Sequence, residues 1–278
     1  MFRPKELLFG TAGIPASCNG TIIDGIKAVR KLGLSSMELE FVRNINISKD
    51  MAPKVKEVAK KEDIALTCHG QYFVNLNAKD ELKLKASVKR ILDACKIAHD
   101  SGAWSICYHL AYYMGDDKAK VHEKVIQMTK EIRKTLDDNG VSIWLRPETT
   151  GKATQWGDLM ETIKLSQEVH GVLPCVDFSH LHARSIGKWN TYSEFKEQLG
   201  LIEKHLGREG LDNMHIHIAG IAYGDKGEKH HMNIEESDMN YRELCRVWKE
   251  FGIKGVVTCE SPNIEKDALL LQKIYKMI

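Results

Sequence analysis

The chain has 278 residues, 43% hydrophobic and 28% charged, with 40 basic and 38 acidic side chains. Such a composition belongs to an ordinary soluble globule that can bury a core without disulfides. The net charge of +2 excludes a grossly basic nucleic-acid coat but leaves room for a local basic groove. No apolar run approaches the ~18 residues of a membrane span. The opening MFRPKELLFGTAG is too short in apolar residues, and lacks the small-residue cleavage site, for a secretory signal, so no membrane partner and a cytoplasmic location are expected. Seven cysteines without a CxxC read as reduced thiols packed as small hydrophobes.

Taken in chain order, short β-rich runs alternate with segments of helical periodicity. The strand candidates are LLFGTAG from Leu7, SMELEFV from Ser36, ALTCHG from Ala65 and SICYHL from Ser105. They continue with SIWLRPE from Ser142, LPCVDFSH from Leu173, NMHIHIAG from Asn213 and GVVTCES from Gly255. Between them lie amphipathic stretches such as KASVKRILDACKIAHD and YSEFKEQLGLIEKHLG. Gly33, Gly102, Gly140, Gly171, Gly207 and Gly252 each stand where a helical run should stop before the next strand. Eight strand–helix units predict an α/β fold, a single (β/α)8 TIM barrel spanning 1–278, with an open doubly wound sheet as its competitor. The stretch from His217 to His231 is expected to be the longest loop.

In a barrel, chemistry gathers where strands run out at their carboxyl ends. Those positions hold His69, His109, Glu148, Asp177 with His180, His215 with His217, and Glu260, and the next loop adds Glu228, His230 and His231. Taken singly, each could be a satisfied polar residue, and Asp177 or Glu260 could be a helix N-cap. Imidazole recurring at one rim points instead to metal. Imidazole with carboxylate suits zinc, manganese or iron(II), with zinc favoured by the histidine count, and so many donors imply two or three ions. His215 and His217 share one side of their strand at different depths, so only one of them need bind. His99, His122, His170, His182 and His205 are assigned to structure or surface. Glu38 and Glu40 share a face of the second strand and, if buried, need partners.

These segments resemble the endonuclease IV family of apurinic/apyrimidinic endonucleases, within the xylose-isomerase-like barrels, over nearly the whole chain. CHGQYFVNL resembles the family's segment after its third strand, SICYHL its fourth-strand histidine, and RPETTGK its glutamate motif. VDFSH resembles its D-x-x-H pair, MHIHIAG with EKHH its histidine strand and D-x-H-H segment, and CESPN its last ligand. The resemblance implies three zincs. The first would take His69, His109 and Glu148. The second would take Glu148, Asp177, His215 and Glu260, and the third His180, Glu228 and His230. Three departures stand out: Glu228 replaces an aspartate, Thr149 an asparagine, and Asn46 an arginine that enters DNA.

The implied activity is hydrolysis of the phosphodiester 5′ to an abasic site in double-stranded DNA, by a monomer in the cytoplasm or at the nucleoid. Glu148 would bridge two zincs and act in catalysis. Tyr72 and Phe73 would contact DNA by filling the gap left when the abasic nucleotide rotates out; their alternative is packing at the barrel mouth. Arg43, Lys152, Lys188, Lys226 and Lys229 are candidate phosphate contacts. The competing reading is a sugar isomerase or epimerase on the same barrel, with one divalent ion on a Glu–Asp–His–Glu set.

Overall fold

The computed structural model describes residues 3–278. Its strands are β1 (Leu7–Ala12), β2 (Ser36–Glu40), β3 (Ala65–His69), β4 (Ser105–Tyr108), β5 (Trp144–Pro147), β6 (Cys175–Asp177), β7 (Met214–Ile218), β8 (Gly220–Gly224), β9 (Gly227–Met232) and β10 (Gly255–Cys259). Eight of them pair in parallel in the order β5-β4-β3-β2-β1-β10-β7-β6. Parallel bridges Leu145↔Val172 and Glu148↔Cys175 join the two edge strands, so the sheet curls into a nearly closed barrel. All eight expected strand runs are present, and the expected TIM barrel is the observed fold.

Helices surround the sheet: α1 (Ile22–Lys31), α2 (Ala52–Lys61), α3 (Glu81–Asp100), α4 (Lys118–Asp138), α5 (Leu159–Glu168), α6 (Phe178–Arg184), α7 (Tyr192–Leu211), α8 (Tyr241–Phe251) and α9 (Glu265–Met277). Their starts are chemically marked. Thr21 with Asp24, Asp158 with Glu161 and Thr191 with Glu194 form capping boxes that satisfy otherwise orphaned backbone N–H groups. Two of the expected glycine stops are instructive. Gly252 ends α8 in the left-handed conformation. Gly207, at φ 64° and ψ −165°, is non-helical and breaks α7 into two helical segments, so a helical run does stop there, with a short second segment before the next strand.

The strand alternation has an unusual consequence. Met37, Leu39, Ile106, Ile216 and Val257 join the apolar layer formed with the helices. The intervening residues meet across the barrel interior, and many are polar: Glu38 from β2 touches His215 and His217 from β7, and Ser105 from β4 touches His215. Strands of parallel barrels are commonly apolar on both faces. Here the inner face carries ionisable groups well below the rim.

The segment from His217 to His231 corrects the sequence expectation. It is no loop but the end of β7 followed by the antiparallel hairpin β8–β9. The hairpin turns tightly at Asp225–Lys226, and Gly227 takes a positive φ of 89° with its Cα against the Gly151 carbonyl, where a Cβ would sit 2.3 Å from that oxygen.

Candidate metal centre

The carboxyl ends of β3 to β7 and β10 converge on Glu148, which follows β5 and is 1% exposed. Its Oε2 lies 3.3 Å from His69 Nε2. Its Oε1 lies 3.1 Å from His109 Nε2, 3.4 Å from His180 Nδ1 and 3.3 Å from His217 Nδ1. Asp177 ends β6 and caps α6, accepting from the His180 backbone N–H at 2.7 Å, while its other oxygen is 3.1 Å from His180 Nδ1. The cap role expected for a strand-end carboxylate and the site role therefore coexist in one side chain, one oxygen each. Glu260, just past β10, approaches His217 Nδ1 at 3.5 Å.

Backbone contacts aim the imidazoles. His69 Nδ1 donates to the Gly70 carbonyl at 2.7 Å, turning Nε2 toward Glu148. His180 Nδ1 lies 3.0 Å from the Thr149 carbonyl, so Nε2 points away toward Glu228 Oε2 at 3.6 Å and His231 Nε2 at 3.4 Å. Glycine is needed at Gly151 for this approach, since a Cβ there would sit 2.5 Å from Glu228 Oε2.

At two positions a neighbouring histidine stands in place of the expected ligand, two residues on in β7 and one residue on in β9. His215 lies one layer below the rim, with Nε2 at Glu38 and Nδ1 3.0 Å from Ser105 Oγ. His217, two residues nearer the mouth on the same side of β7, takes the place expected for His215 beside Glu148, Asp177 and Glu260. His230 is exposed, and His231 faces His180 instead. The cause is a β-bulge: Ala222 pairs with His230 but Tyr223 pairs with Glu228, leaving Lys229 as an extra residue. The extra residue reverses the alternation, so Glu228 and His231 share a face.

Donor atoms lie within 4.8 Å of one another in the groups Glu148–Asp177–His217–Glu260, His109–Glu148–His180, Asp177–His180–His231 and His69–Cys107–Glu148. Glu148 Oε2, Asp177 Oδ2 and His109 Nε2 are buried without a hydrogen-bond partner. Burial of unpaired polar atoms is unfavourable, and converging lone pairs are what a divalent cation satisfies. Protonation equilibria agree. Burial opposes charge on His69, but the hydrogen bond and charge of Glu148 prevail and push its pKa up to about 10. His180 and His217 are likewise raised against burial, by Asp177 and Glu148 for the first and by Glu260 and Glu38 for the second. Burial would raise Glu148, yet the His109 and His217 charges hold it well below the usual carboxylate range. Protons thus compensate the anions where a cation could. Burial and the Glu38 charge push Glu40 up to about 8.

A family model for the xylose isomerase-like TIM barrel matches residues 26–276. The chain belongs to the xylose isomerase-like TIM-barrel family. A relative is the uncharacterized protein MJ0133 of Methanocaldococcus jannaschii, 42% identical over 278 residues and covered to 99% in both chains. Among solved structures, a D-tagatose 3-epimerase-like protein superposes with a TM-score of 0.74 at 19% identity, covering 97% of this chain and 96% of that one. Endonuclease IV from Thermus thermophilus does so with a TM-score of 0.73 at 17% identity, covering 97% and 98%. At these identities the likeness establishes the shared barrel, and the two neighbours are named for different reaction classes. Among the described residues, no helix is long and apolar enough to cross a membrane.

Proposed function

We propose that this barrel is a metal-dependent phosphodiester hydrolase of the endonuclease IV type, cutting double-stranded DNA on the 5′ side of abasic nucleotides as a monomer. The observation that carries the reading is the number of imidazoles around one carboxylate: His69, His109, His180 and His217 all stand 3.1 to 3.4 Å from Glu148. A single ion on Glu148, Asp177, His217 and Glu260 would leave His69, His109, His180, Glu228 and His231 without a shared purpose. Three zinc ions would employ them all, with His217 and His231 in the places first expected for His215 and His230. Divalent ions in such a centre act as Lewis acids toward phosphoryl oxygens and lower the pKa of water.

The chain's own residues supply the rest. Glu148, buried and anionic, links the His69–His109 side of the site to the Asp177–Glu260 side. Glu228 and His231 ride on the hairpin and complete the His180 side. Tyr72 and Phe73 follow His69 and are 52% and 64% exposed, so they are available to enter a helix where a base is missing. Asn46 is exposed and donates to the Glu40 carbonyl, so the wedge falls to the two aromatics. Arg43, Lys188, Lys226 and Lys229 are exposed and free to meet phosphates.

The Glu148–Asp177–His217–Glu260 group favours a second reading, a one-metal sugar isomerase or epimerase. One experiment separates the two. Protein purified without added metal is analysed for metal content, then offered an abasic duplex and, in parallel, ketohexoses. Three or more ions per chain, with cleavage leaving a 3′-hydroxyl and a 5′-deoxyribose phosphate, is the expected result. One or two ions per chain, intact DNA and ketose epimerisation would transfer the function to the second reading.

A further inference from the structure

Below the rim the barrel interior remains polar. Cys107 from β4, Cys175 from β6, and His215 and His217 from β7 bring two sulfurs and two imidazole nitrogens within 4.8 Å of one another, and all four residues are buried. One edge of this group, Cys107 Sγ to His217 Nε2, is 3.8 Å. A tetrahedral zinc with Zn–S of about 2.3 Å and Zn–N of about 2.0–2.1 Å would set sulfur and nitrogen about 3.5 Å apart. Glu38 closes the flank, its oxygens 2.8 Å from His215 Nε2 and 2.8 Å from His217 Nε2.

Two independent features mark this cluster as more than polar packing. Glu38 faces two imidazole nitrogens at 2.8 Å each, yet both of its oxygens and His215 Nε2 are buried and lack a well-formed hydrogen bond. Incompletely satisfied polar atoms are unfavourable in a protein interior. The second feature is Arg146 from β5. Its guanidinium is 1% exposed, lies 4.8 and 5.4 Å from the Trp104 and Trp144 rings, and donates only to the Asn213 side chain and the Pro174 carbonyl. Among the described residues no carboxylate forms an ion pair with it. Cys107 is its ladder partner on β4, and Cys175, Cys107 and, more weakly, Glu209 are the ionisable groups that act on its charge. A buried cation with only neutral partners is costly; thiolates at those two positions would balance it.

We propose a second metal centre inside the barrel, beneath the rim site, in which Cys107, Cys175, His215 and Nε2 of His217 hold a zinc-class ion with Glu38 at its flank. With His217 neutral and binding only the inner ion, two thiolates and Glu38 contribute three negative charges and a divalent ion with Arg146 three positive ones. Where Nδ1 also binds a rim ion the ring is a bridging imidazolate, whose further negative charge the rim cation offsets. Two thiolates and two imidazoles form the closed donor set of a structural zinc, softer than the imidazole–carboxylate set at the rim. His217 lies in the wall between the two centres, with Nε2 facing down and Nδ1 facing Glu148 and Glu260. The inner ion would therefore fix the orientation of a ring that the rim also uses. The proposal does not depend on the reaction assigned to the rim.

Ligation of one ion by two sulfurs gives a readout that the rim cannot produce, since only Cys107 of the two cysteines lies among the rim donors, with His69 and Glu148. The full chain is produced in medium containing cobalt(II) and examined in the near ultraviolet for thiolate-to-cobalt charge transfer. The zinc-loaded chain is examined by X-ray absorption for a Zn–S shell at about 2.3 Å. The expected result is a charge-transfer band equivalent to one cobalt per chain. It should persist in Asp177→Asn and Glu260→Gln and vanish, with one equivalent of metal, in Cys107→Ser/Cys175→Ser. No band and no Zn–S shell in the wild-type chain at full metal loading would overturn the proposal, as would a band that survives in the double variant. The wild-type spectra decide the matter even if the double variant does not fold.

Discussion

Glu148→Gln removes one negative charge and almost no volume from the centre of the rim site. The carboxylate is buried at 1% exposure, so solvent screens it little. At about 4 Å and an effective dielectric near 20, each pair of unit charges is worth about 4 kcal/mol. A divalent ion doubles this to about 8 kcal/mol, so at about 1.4 kcal/mol per factor of ten the ions that share this residue should lose at least roughly 1,000-fold in affinity, even though the amide oxygen remains as a neutral ligand. Glutamine also replaces one acceptor by a donor facing His69, His109, His180 and His217, which now need their own protons less and present lone pairs to the amide. Circular dichroism should be unchanged, because the apolar layer between sheet and helices is untouched. Competition with a chelator should show the affinity loss, and cleavage of an abasic duplex should fall with it. Retained metal, with activity within about tenfold of wild type, would refute the role of Glu148 as the shared ligand.

Three further outcomes are expected. His231→Ala should release one equivalent of metal and most activity, whereas His230→Ala should leave both unchanged; the reverse would mean that the bulge at Lys229 is absent in solution. In metal-free protein the raised pKa of His69, about 10 against an ordinary 6.5, stabilises the fold fully below pH 6.5, and this contribution is lost as pH rises through 10. Melting temperature should therefore decline over that window without metal and much less with it, because a ligating imidazole is already deprotonated; equal slopes would argue against His69 as a ligand. Tyr72→Ala should reduce the preference for abasic over intact duplex by about tenfold, the scale of one aromatic–base contact, and an equal loss on both DNAs would show that Tyr72 only packs the mouth.

The barrel is legible in the sequence because each level agrees. Polar caps, glycine stops and eight β-rich runs all point to strand–helix units, and the strand ends carry the ligand types. What period-2 reasoning cannot supply is depth and parity. His215 and His217 point to the same side of β7, and only the register with β10, which sets His217 opposite Thr258 and His215 opposite Val256, fixes which one stands at the rim. Along β9 the alternation itself fails: with Lys229 inserted, Glu228 and His231 face the site though they are three residues apart. A bulge depends on the partner strand, here β8, so it leaves little local signal beyond a polar run.

The polar interior has a signal of its own. MELE, LTCH, SICY and MHIH each alternate apolar with polar or sulfur-bearing residues. In a strand packed by helices on one side, that alternation places the second set inside the barrel, away from bulk solvent, where each polar group needs a partner. Glu38 and Glu40 announce their need for partners, whereas cysteines taken one at a time look like small hydrophobes. Placed by strand order and the bridges that join β5 to β6, Cys107 and Cys175 stand on either side of β5, which carries the buried Arg146. Both Glu38 oxygens and His215 Nε2 lack a well-formed hydrogen bond in this enclosed volume. A zinc-class ion, which accepts lone pairs from sulfur and nitrogen together, is the partner proposed for this cluster.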